Sequence, residues 1–319
     1  MIRGIRRQAG RPARNSGVRV GIGDDCAVLR LAPGEETLVT TDFSIEGVHF
    51  RREWHPPESV GHRCLARGLS DIASMGGKPM AAFLSLALPA GLPQRWVNAF
   101  FRGFFALAHK YKVALAGGDT AQSPAGIVAD VVVLGSVPEG EAILRSGAKA
   151  GDSIYVTGAL GGAAATLKQL LDSGKRISRP RAHPEHFYPV PRIVVGQWLR
   201  RKHAASAMID LSDGLSTDLA HLCDESNAGA VIEEQALPIH PRARKSEDAL
   251  QLALHGGEDY ELLFTAPAML SVDHIEGVPV TRIGEIVALR KGRPAVQLIG
   301  GKHSQELRRG GWEHFAMGK

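Results

Sequence analysis

The chain has 319 residues, 44% of them hydrophobic and 22% charged, which is enough apolar material for a sizeable core and excludes disorder as the main state. At roughly 150 residues per domain, that length favours two domains or one large one. The formal charge is +5, but Arg3, Arg6, Arg7, Arg11, Arg14 and Arg19 all fall at the start with no acid among them. The excess therefore reads as a basic arm, residues 1–19, on a near-neutral body. Nucleic acid is not expected as the principal ligand.

Cys26, Cys64 and Cys223 are far apart and odd in number, so neither a disulfide framework nor a zinc knuckle is expected, and a reducing cytoplasm fits best. The longest apolar run, Met80 to Pro93, is interrupted by Ser85 and Pro89 and is too short to span a bilayer, so no membrane association is expected. Gly4, Gly10, Pro12 and Gly17 interrupt any amphipathic helix in the arm, which argues against a transit peptide.

After the arm, Ala27 to Leu31 and Thr37 to Thr41 read as short strands. The spacing of Val60, Cys64, Leu65, Leu69 and Ile72 predicts a helix over Glu58 to Met75, stopped by Gly76 and Gly77. Ala81 to Leu88 is an apolar strand, Pro93 starts a helix over Gln94 to Tyr111, and Val113 to Ala116 and Ile127 to Val137 are β-rich. The polar, Gly-containing stretch from Pro138 to Gly151 suits a connection, giving expected domains of 20–138 and 139–319. The second half opens with a strand over Asp152 to Thr157 and a helix over Ala163 to Leu171. A helix over Arg192 to Arg200, a strand over Ala207 to Asp210 and a helix over Leu215 to Cys223 follow. Strands over Ala230 to Ile232 and Tyr260 to Thr265 complete a second α+β unit.

Gly makes up 37 residues, and the excess sits in GIGDD, MGGKP, AGGDT, ALGG and HGGED rather than in a linker. Acidic residues recur beside Gly, Ser or Thr, at what read as strand-to-turn junctions: Asp24-Asp25, Asp42, Asp71, Asp119, Asp210, Asp213 and Glu258-Asp259. Any one of these is ordinary cap or turn chemistry. If several converge, carboxylates about 5 Å apart repel by roughly 3 kcal/mol per pair at an effective dielectric of 20, and the cluster needs cations. Oxygen ligands suit Mg²⁺, which bridges to substrate phosphates, so the implied chemistry is phosphoryl transfer. The Walker, dinucleotide, protein-kinase, zincin and nucleophile-elbow signatures are all absent from the sequence.

The ordered set GIGDDCAV, TTDFSIEGVHF, LSDIASMGGKP, AGGDT, RSGAKAGD, IDLSDGL and GGEDYEL closely resembles the thiamine-monophosphate kinases, within the wider aminoimidazole ribonucleotide synthetase-like superfamily. The resemblance runs from about residue 20 to Gly311-Trp312-Glu313-His314-Phe315. It implies a two-domain α/β (α+β) fold whose N-terminal domain dimerises through its sheet into a barrel. Between the motifs of the two domains it places ATP and several Mg²⁺ ions, with a monovalent cation as a further candidate.

Carried over by position, Asp25, Thr40, Thr41, Asp42, Asp71, Asp119, Asp210 and Asp213 match metal-binding positions, with Asp42, Asp119 and Asp210 central to catalysis. Gly118, Asp119, Arg145 and Ser212 match nucleotide positions; His49, Glu258 and Trp312 match positions near thiamine monophosphate. By residue type alone, other roles stay open. His49 suits a strand end, Trp312 could pack the last element, Arg145 could pair with Glu141, and Asp259 could be structural. The sister-enzyme alternative in the superfamily uses ATP to activate a carbonyl oxygen or a selenium species. The start also departs from the resemblance, because residues 1–20 contain neither an acid nor an aromatic residue, where these kinases begin with an acidic-aromatic helix.

Overall fold

The computed structural model describes residues 2–10, 17–22, 26–174, 177, 179–267, 269–290, 295–301 and 303–313. Two compact units account for the chain. The first comprises Met1–Ile72, Gly77–Glu141 and Ser173–Pro191; the second comprises Ala73–Gly76, Ala142–Asp172 and Arg192–Lys319.

The first unit begins with α1 (Ile2–Ala9), β1 (Val18–Val20), β2 (Val28–Leu29) and β3 (Glu35–Ile45). It continues through α2 (Pro57–Ser74), β4 (Lys78–Pro89), α3 (Gln94–Tyr111), β5 (Ala114–Gly117), β6 (Thr120–Ser123) and β7 (Val128–Pro138). The helix α1 corrects the reading of the arm. Gly4 meets nothing within 4 Å of an added Cβ, so it costs only the ordinary glycine penalty of about 1 kcal/mol, and Ile5 is buried. The helix ends where Gly10 turns to φ +66°, a left-handed conformation open to glycine.

Strands β3, β7, β4 and β5 form a sheet in that order, with β6 also pairing β4. Along β3 the even residues face inward and the odd ones outward, the period of a half-covered strand. Helices α2 and α3 cross closely at two glycines: a Cβ on Gly61 would lie 2.0 Å from the Phe100 carbonyl oxygen, and one on Gly103 would lie 1.8 Å from that of Glu58. The buried face of α3 carries Phe100, Phe101, Phe104 and Phe105, which stack on one another in face-to-face and edge-to-face pairs.

The second unit contains β8 (Ser153–Thr157) and α4 (Gly162–Ser173), after which the short α5 (Pro184–Phe187) returns to the first unit. Next come α6 (Ile193–Arg201), β9 (Ala207–Asp210), α7 (Leu215–Glu225), β10 (Gly229–Glu233), α8 (Ala249–His255) and β11 (Leu262–Ala266). The last strands are β12 (His274–Ile275), β13 (Val278–Val287), β14 (Val296–Gly300) and β15 (His303–Glu306). The sheet runs β15-β14-β10-β13-β8-β11-β9, with β12 on β13. Its core gathers Ile154, Val156, Ile209, Leu219, Leu222 and Leu263, all at most 2% exposed. The α/β (α+β) class is as expected.

Differences are local and physical. Strand β3 is eleven residues long, so Asp42 sits inside a strand, and Asp71 sits within α2; neither lies at a strand-to-turn junction. Strand β11 starts at Leu262 rather than Tyr260, because Tyr260 has φ +50°, incompatible with a strand. Strands β6 and β12 to β15 lie outside the sequence expectations: in β13, Pro279 and the register shift near Arg282 break the period-2 signal, and β15 is exposed along its whole length.

Candidate functional site

In the first unit, Thr40 and Asp42 lie on the inward face of β3, while Asp71 and Arg67 are i, i+4 neighbours on α2. Gly68 lets the helix come close: a Cβ there would lie 2.6 Å from Val133 Cγ2 and 3.5 Å from Thr40 Cγ2. The Thr40 hydroxyl donates to Asp71 Oδ2. Arg67 Nη1 donates to the Phe43 carbonyl at 2.9 Å. Burial first, and then the neighbouring Asp71 charge, push the Asp42 acid up to about 7, against the pull of the Arg67 guanidinium. Two carboxylates meet in this low-dielectric setting beside Arg67, an arrangement that favours a further neutralising charge.

Other residues from the motifs are placed apart. Thr41 points to the opposite face of the sheet, where its hydroxyl donates to Asp130 at 2.8 Å; its side chain does not join Asp42 and Asp71. Asp119 is exposed on the β5–β6 turn, and its carboxylate accepts the Thr120 N–H at 2.7 Å. Gly118 before it has φ +144°, and a Cβ would lie 2.0 Å from the Leu84 carbonyl oxygen. The turn therefore requires glycine. Three strand spacings, about 14 Å of backbone, separate β3 from β5. His49 follows β3, and its Nδ1 accepts the Ile45 N–H at 3.0 Å, so that nitrogen carries no proton. Asp25 lies outside the described residues, as do His314 and Phe315.

The second unit builds a site where β9 ends in Asp210 and the turn Leu211-Ser212-Asp213-Gly214 leads into α7. The loop at residues 257–261 zips along this turn: Glu258 N–H to Ser212 O at 2.8 Å, Tyr260 N–H to Leu211 O at 2.9 Å, and Leu211 N–H to Glu261 O at 2.8 Å. Glu258 and Tyr260 both have left-handed φ, +69° and +50°, a strained pair for residues with side chains.

Three carboxylates hold this loop and turn. Asp259 accepts the N–H groups of Gly161 at 2.7 Å and Ala163 at 3.4 Å at the start of α4, and burial pushes its acid up to about 8. Glu261 forms a two-pronged pair with Arg192 and accepts the Thr157 hydroxyl at 2.6 Å. Asp218 accepts the N–H groups of Asp213 at 3.1 Å and Gly214 at 3.0 Å; burial, and next the Asp213 charge, raise it to about 7. The structural alternative weighed for Asp259 is thus what the geometry provides.

Arg145 is exposed, its carbonyl accepts the Ser226 hydroxyl at 2.7 Å, and its positive charge is the smallest of the named influences on the Asp218 acid. The Trp312 N–H donates to the Asp213 carbonyl at 3.1 Å, and the residue is 52% exposed rather than packed as a terminal plug. Among the described residues, no three His, Cys, Asp or Glu side chains form a ready-made metal cage. The donors present still fit Mg²⁺, which takes one or two carboxylates and leaves the remaining positions to water and substrate phosphate.

The sequence reading missed Arg67, Asp130, Glu261 and Arg192. Arg67 had a signal: with Arg63 and Asp71 it forms a charged i, i+4, i+8 row beside the helix's apolar stripe.

Residues 23–137 match the family described as AIR synthase related protein, N-terminal domain, and residues 149–297 match its C-terminal domain. A thiamine-monophosphate kinase of Salmonella typhimurium is 40% identical over 85% of both chains. Among solved structures, thiamine-monophosphate kinase from Stenotrophomonas maltophilia K279a superposes with TM-score 0.79 at 35% identity, covering 93% of this chain and 94% of that one. AaThiL complexed with AMPPCP and TMP superposes with TM-score 0.78 at 32% identity, covering 92% of each. With both domains matched and such identity over most of its length, the chain belongs to the thiamine-monophosphate kinase family of AIR synthase related proteins.

Proposed function

We propose that the chain transfers the terminal phosphoryl group of ATP directly to the phosphate of thiamine monophosphate, releasing ADP and thiamine diphosphate. Family membership supports the substrate pair. The observation that carries the chemistry is the Asp42–Asp71 pair: burial first, and then the neighbouring Asp71 charge, leave the Asp42 acid near 7, a setting that a bound cation would relieve. The acceptor phosphate is already anionic at neutral pH, so no general base is needed. What remains is to neutralise two polyanions and align them in line.

Thr40, Asp42 and Asp71 would hold one Mg²⁺ in the first unit, with Asp25 as a further ligand; Asp119, three strand spacings away, would serve a separate ion, as would Asp210 and Asp213 in the second unit. The Thr41 side chain faces away, so only its backbone is left for such a role. Bound there, Mg²⁺ supplies charge neutralisation for the phosphates. Gly118 and Ser212 offer close backbone approach to nucleotide, and Arg145 a fork for its phosphates. His49, Glu258 and Trp312 would contact thiamine monophosphate.

The outward face of the first sheet carries Val39 and Phe43, 65% and 55% exposed, and supports a homodimer formed through that face. We also propose 20–138 and 139–319 as the functional domains in chain order, with residues 173–191 of the second belonging to the first compact unit. Free thiols at Cys26, Cys64 and Cys223 fit a reducing cytoplasm, and among the described residues no helix is long and apolar enough to cross a membrane.

The test is thiamine diphosphate formation from thiamine monophosphate and ATP, with Mg²⁺ and with EDTA, scored beside ADP. Product only with metal is the expected result. ADP without thiamine diphosphate would move the assignment to a sister chemistry of the superfamily.

A further inference from the structure

The chain beyond β15 runs back to the turn that carries Asp213. Leu307 anchors it, buried in the second core and donating its N–H to Val296 O at 3.0 Å. Three consecutive backbone donors then meet three acceptors of one helical start: Gly310 N–H to Ser216 Oγ at 3.2 Å, Gly311 N–H to Thr217 Oγ1 at 3.1 Å, and Trp312 N–H to Asp213 O at 3.1 Å. Both hydroxyl-bearing residues are buried, Ser216 fully and Thr217 to 4% exposure. Ser216 Oγ is further fixed by His255 Nδ1 at 2.8 Å. The glycines are obligatory for this fit: a Cβ on Gly311 would lie 2.1 Å from Asp213 O, and one on Gly310 would lie 2.6 Å from His255 Nδ1. The strap ends in Trp312, half-exposed, with its backbone N–H on the Asp213 carbonyl.

We infer that Thr217 and Ser216 are positioning residues: they dock the Gly310-Gly311-Trp312 strap and, through Trp312, set the affinity for the heteroaromatic substrate. Neither hydroxyl needs to touch substrate, because buried hydroxyls whose lone pairs serve backbone N–H groups fix where the next side chain stands. The inference rests on the functional reading above and deepens it. The strap is also held by buried Leu307 and by the Arg309–Asp224 ion pair, so loss of one hydroxyl acceptor loosens it locally at Trp312 without releasing it, and the effect falls on binding rather than on the phosphoryl-transfer step.

The experiment uses the full chain and Thr217→Val, which keeps shape and removes the acceptor, with Thr217→Ser as the conservative rescue. Each is measured alone and in a Trp312→Ala background. Thr217→Val is expected to raise the KM for thiamine monophosphate roughly three- to ten-fold, as loss of one buried hydrogen bond implies, with kcat and the KM for ATP changed less than twofold. It should also shift Trp312 emission and increase its quenching by acrylamide; Thr217→Ser restores both. In the Trp312→Ala background, Thr217→Val should add less than a twofold change.

An equal rise in KM for ATP, or the full effect persisting without Trp312, overturns the positioning role. So does a normal KM in Thr217→Val. A chain that makes no thiamine diphosphate at all overturns the functional reading instead, and unchanged Trp312 emission in Thr217→Val refutes the docking by itself.

Discussion

Asp42 and Asp259 are both carboxylates pushed far above the ordinary range by burial, to about 7 and about 8, yet they are built for opposite purposes. Asp42 faces another carboxylate, Asp71, across a strand and a helix, and its nearby countercharge is Arg67. Asp259 instead accepts backbone N–H groups at the start of α4 and pins a loop whose two neighbouring residues are strained. The groups around a buried acid, more than its burial, separate a carboxylate set against a carboxylate and a guanidinium from one served by backbone amides beside Glu261. Acidic residues in these motifs therefore sit in two kinds of surroundings, and only packing tells them apart.

The sharpest way to break that distinction is Asp42→Ala. Turnover should fall by roughly a thousandfold or more while the melting temperature holds or rises, because one of two repelling charges is gone. A fully active variant would remove Asp42 from the site. Asp259→Ala should do the reverse in kind. It strands two N–H groups and costs about 2 to 3 kcal/mol in urea unfolding, with activity lost only as the 257–261 loop loosens. Unchanged stability with lost turnover would mean that Asp259 belongs to the chemistry.

A smaller effect lies in pH. The folded Asp259 holds a proton that the unfolded chain gives up near its usual value of 3.8, so the folded state binds more protons between the two values. Stability contributed by this group is full below about 4 and is lost as pH rises toward 8. In melts at pH 5 and pH 8, Asp259→Asn should flatten part of that decline; a steeper decline would show the acid to be ionised by its N–H donors. Smallest of all, Thr41→Val should change turnover by less than about twofold, since its hydroxyl serves Asp130 on the outer face. A large loss would place the Thr41 side chain in the site after all.

Much of the chain was legible before any coordinates. The helices over residues 58–75 and 94–111 announce themselves by apolar spacing, and the glycines that end or bend the chain sit where Cβ atoms have no room, as at Gly118. At the start, the four helix breakers do not act alike. Gly4 faces open space, and only Gly10 ends the helix. The C-terminal strands escaped because Pro279 and a register shift blur alternation.

By itself the sequence determined the family, the class of chemistry and the order of the motifs, because those depend on residue types at fixed spacing along the chain. Tertiary structure alone decided which acid faces another acid and which is capped by amides. It also turned Thr41 away from Asp42 and brought the Gly310-Gly311-Trp312 strap onto the Asp213 turn. Those outcomes depend on strand parity, on helix approach through Gly68 and on contacts between residues about a hundred positions apart, none of which is written in local spacing.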